Sequence, residues 1–162
     1  MVLVYFVALV KISRFLAWLC LLGQYYAHTI KRMAKRGKYS VVIPSDLKPH
    51  PSEREFSAAC ILSDYFQTNV VFILRSNTRT PDFSIDGVCW ELKTPTGSGK
   101  YNIQHALKSA LGQSANIIID SRFSKIHINR FKSELHSQLL KTKAIRRLLL
   151  IDKSGAVVEI ER

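Results

Sequence analysis

The chain has 162 residues, enough for one compact domain with a single core and an appendage. Its 47% apolar and 22% charged residues are ordinary for a globular protein, but the net charge of +12 indicates a polyanionic partner, either nucleic acid or an anionic membrane surface. The three cysteines, none in a close pair, argue against a disulfide framework or a zinc ribbon and favour a reducing compartment such as the cytoplasm.

Residues 1–38 differ in character from the rest of the chain. They contain seven basic residues, no acidic ones, and two apolar runs separated by Lys11 and Arg14. Neither run reaches the roughly 20 apolar residues of a membrane span. One interpretation is a membrane-associated helix with its basic residues at the lipid headgroups. The other is that translation starts at Met33, so we expect 1–38 to be an extension and 39–162 to form the domain.

The domain is predicted to begin with a strand, a helix and a second strand. Residues 39–43 form a short strand that ends at a proline, and a proline-containing loop follows. Ser52 and Glu55 fit a capping box, which predicts a helix to about Gln67. Residues 70–74 are continuously apolar, which predicts a central strand.

Residues 81–95, PDFSIDGVCWELKTP, have the pattern of a β-hairpin. Asp86-Gly87 between two alternating runs is a strong hairpin signal. Side chains alternate along a strand, so Glu91 and Lys93 share one face, and Asp82 on the partner strand lies beside Glu91. The hairpin therefore brings two acids and one lysine to one edge.

Such a cluster has a possible chemistry. Burial of two like charges is costly unless a cation lies between them. A divalent metal held by Asp82 and Glu91, with Lys93 against a scissile phosphate, would meet that cost, and Mg²⁺ or Mn²⁺ suits these oxygen ligands. An RNase could also dispense with metal, because the ribose 2′-hydroxyl is an internal nucleophile. The alternative is that this face of the hairpin is merely solvated.

The second half of the domain alternates helices and strands. An apolar stripe predicts a helix over 102–114, and ANIIID predicts a buried strand over 115–120. A longer amphipathic helix over 127–143, with Leu139 and Leu140 on its apolar stripe, and a closing hairpin of 147–152 with 156–160 follow. Helices that interleave with a mixed sheet predict an α/β or α+β domain with three layers.

Four segments, PHPSE, TPDFSIDG, WELKTPTG and QSANIIIDSR, resemble the tRNase toxin domains at the C-termini of CdiA contact-dependent inhibition proteins and their stand-alone bacterial relatives. The resemblance covers about 47–160. The helical acid, the Pro-Asp pair and the Glu-Leu-Lys strand are also similar to the PD-(D/E)XK nuclease core. The resemblance implies an αβββαβ restriction-endonuclease-like core, a toxin nuclease acting on RNA and most of all tRNA, and an acidic immunity protein as partner.

The resemblance also implies roles for individual residues. Asp82 and Glu91 are the expected metal ligands or acid and base groups, and Lys93 is expected to orient water or offset charge on the phosphorane. Glu53 matches the helical acid, with Glu55 as its rival, although the capping box already accounts for Glu55. The implied catalytic set is Glu53, Asp82, Glu91, Lys93 and Gln113.

Basic residues outside this set are candidates for phosphate contacts, which position a nucleic acid without reading its sequence. These are Lys100, Arg122, Lys125, Arg146 and Arg147. Two other functions are compatible with the same residues. One is a DNA endonuclease of the same fold in defence or mobile-element biology, and the other is a catalytically inactive, basic nucleic-acid-binding module.

Overall fold

The computed structural model describes residues 39–76 and 79–162, so the predicted extension over 1–38 lies outside the described residues. Within the described part, no helix is long and apolar enough to cross a membrane. The elements in chain order are β1 (Val41–Val42), α1 (Glu53–Phe66), β2 (Val70–Phe72), β3 (Phe83–Ile85), β4 (Val88–Lys93), α2 (Asn102–Leu111), β5 (Asn116–Asp120), α3 (Ile128–Lys141), β6 (Arg147–Ile151) and β7 (Val157–Glu159).

The seven strands form one mixed sheet whose spatial order follows the chain, from β1 at one edge to β7 at the other. Three neighbouring pairs are parallel: β1 with β2, β4 with β5, and β5 with β6. Each parallel pair is joined through a helix, as a crossover connection requires. The other three pairs are antiparallel. The predicted fold class is confirmed, and the run from α1 to β5 has the order αβββαβ.

The sheet separates two apolar cores, which makes the domain three-layered. On one face, Ile118 of β5 packs with residues of α1. On the other face, Ile117 and Ile119 pack with residues of α2 and α3. All five residues of β5 are buried because helices cover the sheet on both sides.

The predicted local signals are present at the start of α1 and in the β3–β4 hairpin. Ser52 Oγ accepts from the N–H of Glu55 at 3.3 Å, and Glu55 Oε2 accepts from the N–H of Ser52 at 2.6 Å, which completes the capping box. In the β3–β4 hairpin, Asp86 (φ 49°) and Gly87 (φ 75°) both have positive φ, as a two-residue type I′ turn requires.

Three expectations about single elements are wrong. The strand expected to be central, β2, lies second from the edge, and its run is apolar because Val70 and Phe72 pack into the α1 core. Helix α2 ends at Leu111, where Gly112 caps it, and not at residue 114 as expected. Leu140, expected on the apolar stripe of α3, is 55% exposed because Leu139 takes the buried position.

The turn provides a test of the fold. We expect Gly87→Ala to lower the free energy of unfolding by about 1 kcal/mol, since a side chain at positive φ is strained. Gly99→Ala is the matched control, because a Cβ at either glycine meets no atom within 4 Å and only Gly87 has positive φ. Urea denaturation of both variants is the measurement, and equal stabilities would contradict the turn assignment.

Candidate active site

An open cavity of about 360 Å³ lies beside the β3–β4 hairpin. Its lining combines three carboxylates and three cations, an unusual density of charge for one cavity. The lining residues are Glu55, Arg75, Ser76, Arg79, Thr80, Asp82, Glu91, Leu92, Lys93 and Gln113. Four of the five residues in the predicted catalytic set therefore meet here.

Asp82, just before β3, is held by hydrogen bonds to β4 and to the residue that follows β2. Its Oδ2 accepts from the N–H of Leu92 on β4 at 2.9 Å, and its backbone carbonyl accepts from the N–H of Ile73 at 3.0 Å. Burial raises the pKa of Asp82, although the Leu92 N–H and the charge of Lys93 act in the opposite direction. The carboxyl is thus fixed beside Glu91 at the mouth of the hairpin.

Glu91 is the most enclosed acid of the cluster, with only 1% of its surface exposed. Its Oε1 accepts from Nζ of Lys93, whereas its Oε2 is buried and has no hydrogen-bond partner. Burial raises the pKa of Glu91 from its usual 4.5 to about 7; the Lys93 hydrogen bond lowers it and the charge of Asp82 raises it further. Near neutral pH, this carboxyl can therefore exchange a proton.

Lys93 is positioned by two acceptors. Its Nζ donates to Glu91 and, at 3.1 Å, to Oε1 of Gln113. The amide of Gln113 is fixed in turn, since its Nε2 donates to the carbonyl of Thr80 at 3.0 Å. Because α2 ends at Leu111, Gln113 lies in the turn after the helix and lines the cavity. The ammonium group is thus held at one point of the cavity.

Glu53 is not part of the cluster. It is exposed and does not line the cavity, whereas Glu55, two positions later, does. Two residues along a helix differ in direction by roughly 200°, so only one of them can face the site. Glu55 forms an ion pair with Arg75 at 3.3 Å, and its charge raises the pKa of Asp82. Glu55 therefore occupies the place that the sequence analysis gave to Glu53.

Arg75 and Arg79 were not anticipated as site residues. Both belong to the polar loop before the hairpin, where no periodicity indicates the direction of a side chain. A signal was present, however, because both arginines lie in the short loop before the Pro-Asp pair.

The five predicted phosphate-binding residues are not brought together, and none of them lines this cavity. Arg122 binds Asp120 at 2.7 Å and Ser57 at 2.8 Å. Arg147 binds Glu159 at 2.8 and 2.9 Å, at the start of β6. The strand register puts Arg146 and Arg147 at the opposite end of the sheet from Lys93. Lys100, Lys125 and Arg146 are exposed.

The comparisons agree with the family that the four segments suggested. Residues 79–157, just under half of the chain, match the family described as the contact-dependent growth inhibition CdiA C-terminal domain. That match includes Asp82, Glu91, Lys93 and Gln113 but not α1. No curated protein matches the sequence.

Among solved structures, the chain is similar to the CdiA-CT/CdiI toxin and immunity complex from Burkholderia pseudomallei. The TM-score is 0.57 at 21% sequence identity, over 76% of this chain and 99% of the other. At this identity the similarity establishes a shared fold. The PD-(D/E)XK assignment and the roles of the site residues stay predictions.

The raised pKa of Glu91 gives a stability test. Because the folded protein binds this proton more tightly than the unfolded chain, the free energy of unfolding should fall as pH rises from about 4.5 to about 7 and then level off. The fall is on the order of 3 kcal/mol. We expect Glu91→Gln to remove most of it, as measured by urea denaturation from pH 4.5 to 8.

The matched control is Glu159→Gln. Its hydrogen bond from Arg147 lowers the pKa of Glu159, so this carboxyl titrates below the same window. The Glu159→Gln variant should therefore keep the wild-type fall. If Glu91→Gln keeps it as well, Glu91 does not titrate near neutral pH.

Proposed function

We propose that this protein is a toxin-type nuclease that cleaves phosphodiester bonds in RNA, with tRNA as the expected substrate. The single observation that carries the proposal is the convergence of Asp82, Glu91, Lys93 and Gln113 in one open cavity. The match of residues 79–157 to a CdiA C-terminal toxin domain supports the biological class. The αβββαβ order supports a PD-(D/E)XK nuclease.

The side chains suit phosphoryl transfer. A carboxyl with a pKa of about 7 is matched to proton transfer at neutral pH, so Glu91 is the proposed general base, toward a water or a ribose 2′-hydroxyl. Lys93, held by Glu91 and Gln113, is the proposed cation that stabilises charge developing on the phosphorane. Arg79 adds positive charge to the lining of the cavity, where a phosphate would bind, whereas Arg75 is paired with Glu55.

The same cavity is compatible with a divalent metal. Among the described residues, the buried Oε2 of Glu91 has no hydrogen-bond partner and lies beside Asp82, whose pKa burial also raises, so a cation bound by both carboxylates would offset the cost of burying them. Among residues 39–76 and 79–162, no three His, Cys, Asp or Glu side chains are placed to hold one metal ion, and the proposed ligands are the two neighbouring carboxylates Asp82 and Glu91. Two carboxylates with water and phosphate oxygens are a common Mg²⁺ site. Bound there, Mg²⁺ or Mn²⁺ would lower the pKa of an attacking water.

An acidic immunity protein is the proposed partner. The similar Burkholderia pseudomallei structure is titled a toxin and immunity complex, and a chain of charge +12 is suited to bind a protein of opposite charge. Such a partner, encoded beside this chain, should restore growth to cells that express the active protein. Peripheral membrane contact through residues 1–38 stays a separate proposal, outside the described residues.

Cleavage of tRNA and plasmid DNA by the full chain is the direct test. We expect tRNA to be cut in Mg²⁺ and the rate to fall by about 10²- to 10⁴-fold in Glu91→Gln and in Lys93→Met, since each change removes a group that acts in the transition state. Mapping the cut ends by primer extension gives the position. EDTA should abolish cleavage by the metal-dependent route.

Glu159→Gln is the control, because it makes the same chemical change far from the cavity and should keep wild-type activity. Cleavage of plasmid DNA without cleavage of tRNA would replace the RNA assignment with that of a DNA endonuclease. Cleavage unchanged in EDTA would contradict the metal and leave the 2′-hydroxyl route. Full growth inhibition by Glu91→Gln would contradict an enzymatic toxin.

A further inference from the structure

A second cavity, of about 650 Å³, adjoins the one that holds Glu91. Arg79 and Gln113 line both cavities, so the two meet at these side chains. Among the described residues, the rest of the lining consists of His105, Lys108 and Ser109 of α2, with no carboxylate. Cationic and polar side chains therefore extend from the exposed side of α2 to the candidate active site.

The exposed side of α2 carries an ordered set of side chains. Tyr101, His105 and Lys108 are spaced four and three residues apart, so they share one face of the helix. Tyr101 is 56% exposed, and its ring stacks on that of His105 at 6.4 Å with an interplanar angle of 16°. Nζ of Lys100 lies 5.5 Å from the same ring. The face thus combines an exposed aromatic pair with two lysines.

This face of α2 is held in place because the opposite side of the helix packs into the core. Ile103, Leu107 and Ala110, on the opposite side of α2, are buried in the core that the sheet shares with α3. The aromatic pair and Lys108 therefore stand on an element that cannot move without opening the core, unlike cations on a loop.

Arg79 lies between the α2 face and the active site, and its guanidinium packs against Gly112. A Cβ at position 112 would lie 2.7 Å from Nη1 of Arg79, so the guanidinium occupies space that only glycine leaves open. The end of α2 carries partial negative charge, which favours a cation there. A side chain at position 112 would require the flexible end of Arg79 to shift at the junction of the two cavities.

We propose that the Tyr101–Lys108 face of α2 is a binding track for single-stranded nucleic acid, which delivers the strand to the cavity around Glu91. Bases stack on Tyr101 and His105, and phosphates contact Lys108 and Arg79. Aromatic platforms next to cations are the usual means of holding unpaired strands, since every base has a face to stack. A duplex would hide those faces, so the track takes a loop or an unpaired end. This inference rests on the proposed nuclease function for its ligand class.

The test measures binding, which does not depend on cleavage. The probe is a fluorescein-labelled single-stranded RNA of 12 nucleotides, titrated by fluorescence anisotropy against full-length Glu91→Gln protein at several salt concentrations. We expect Lys108→Glu and Tyr101→Ala, added to that background, each to weaken binding by about 10-fold. Lys108→Glu should also reduce the slope of log affinity against log salt by about 0.7 for the lost phosphate contact.

Lys141→Glu is the matched control, since it makes the same charge change in the last turn of α3, on an exposed residue outside both cavities. It should leave the affinity close to that of the background protein. If Lys108→Glu and Lys141→Glu weaken binding equally, the effect is one of net charge and the track is wrong. A matching 12-base-pair RNA duplex should bind with no dependence on Tyr101, and equal dependence would overturn the stacking role.

Gly112→Ala adds a variant that leaves every cation in place. It shifts only the flexible end of Arg79, so it should weaken binding less than Arg79→Ala does, and wild-type affinity in Arg79→Ala would contradict the role of Arg79 at the junction. The proposed function can fail separately. If no nucleic acid is cut but binding depends on Tyr101 and Lys108, only the nuclease assignment is lost. If tRNA is cut and binding is independent of both residues, only the track is lost.

Discussion

The contact between Lys93 and Glu91 is the constraint on which the site depends. Glu91 is almost completely buried, and one of its carboxylate oxygens has no partner. Loss of one member of a buried ion pair typically costs 3–5 kcal/mol, whereas well-packed apolar residues in the same place are often as stable or better. An ion pair that is costly to keep, at the wall of an open cavity, is more readily explained by chemistry than by stability.

Core packing of β4 holds this costly ion pair in place, because side chains alternate between the two faces of the strand. Trp90 and Leu92 are buried in the α1 core, and the same strand turns Glu91 and Lys93 toward the cavity. Because β4 has a partner strand on each side, its register cannot shift without moving Trp90 out of the core. The rigidity of the site is therefore a consequence of core packing. Gln113 adds the last restraint from the turn after α2.

The parts of the site that depend on residues near one another in sequence could be predicted, and those that depend on distant residues could not. The Asp86-Gly87 turn and strand alternation are local, so they were sufficient to bring Asp82, Glu91 and Lys93 together. The rotation of α1 about its axis is set by packing against the sheet, and no local rule separates Glu53 from Glu55. The sequence-distant partners of arginines, such as Glu159 for Arg147, likewise require the sheet order.

Which cations are available to bind a polyanion also depends on contacts between residues distant in sequence. The net charge of +12 counts every lysine and arginine equally, but the fold does not. Asp120 and Glu159 bind Arg122 and Arg147, so these two cations are largely engaged within the protein. In the part of the chain that the structure describes, neither Arg79 nor Lys108 forms an ion pair, and both line the cavity that leads to Glu91. Cations near a site attract a phosphate in proportion to the charge left uncompensated, so internal ion pairs, more than composition, decide where a polyanion binds.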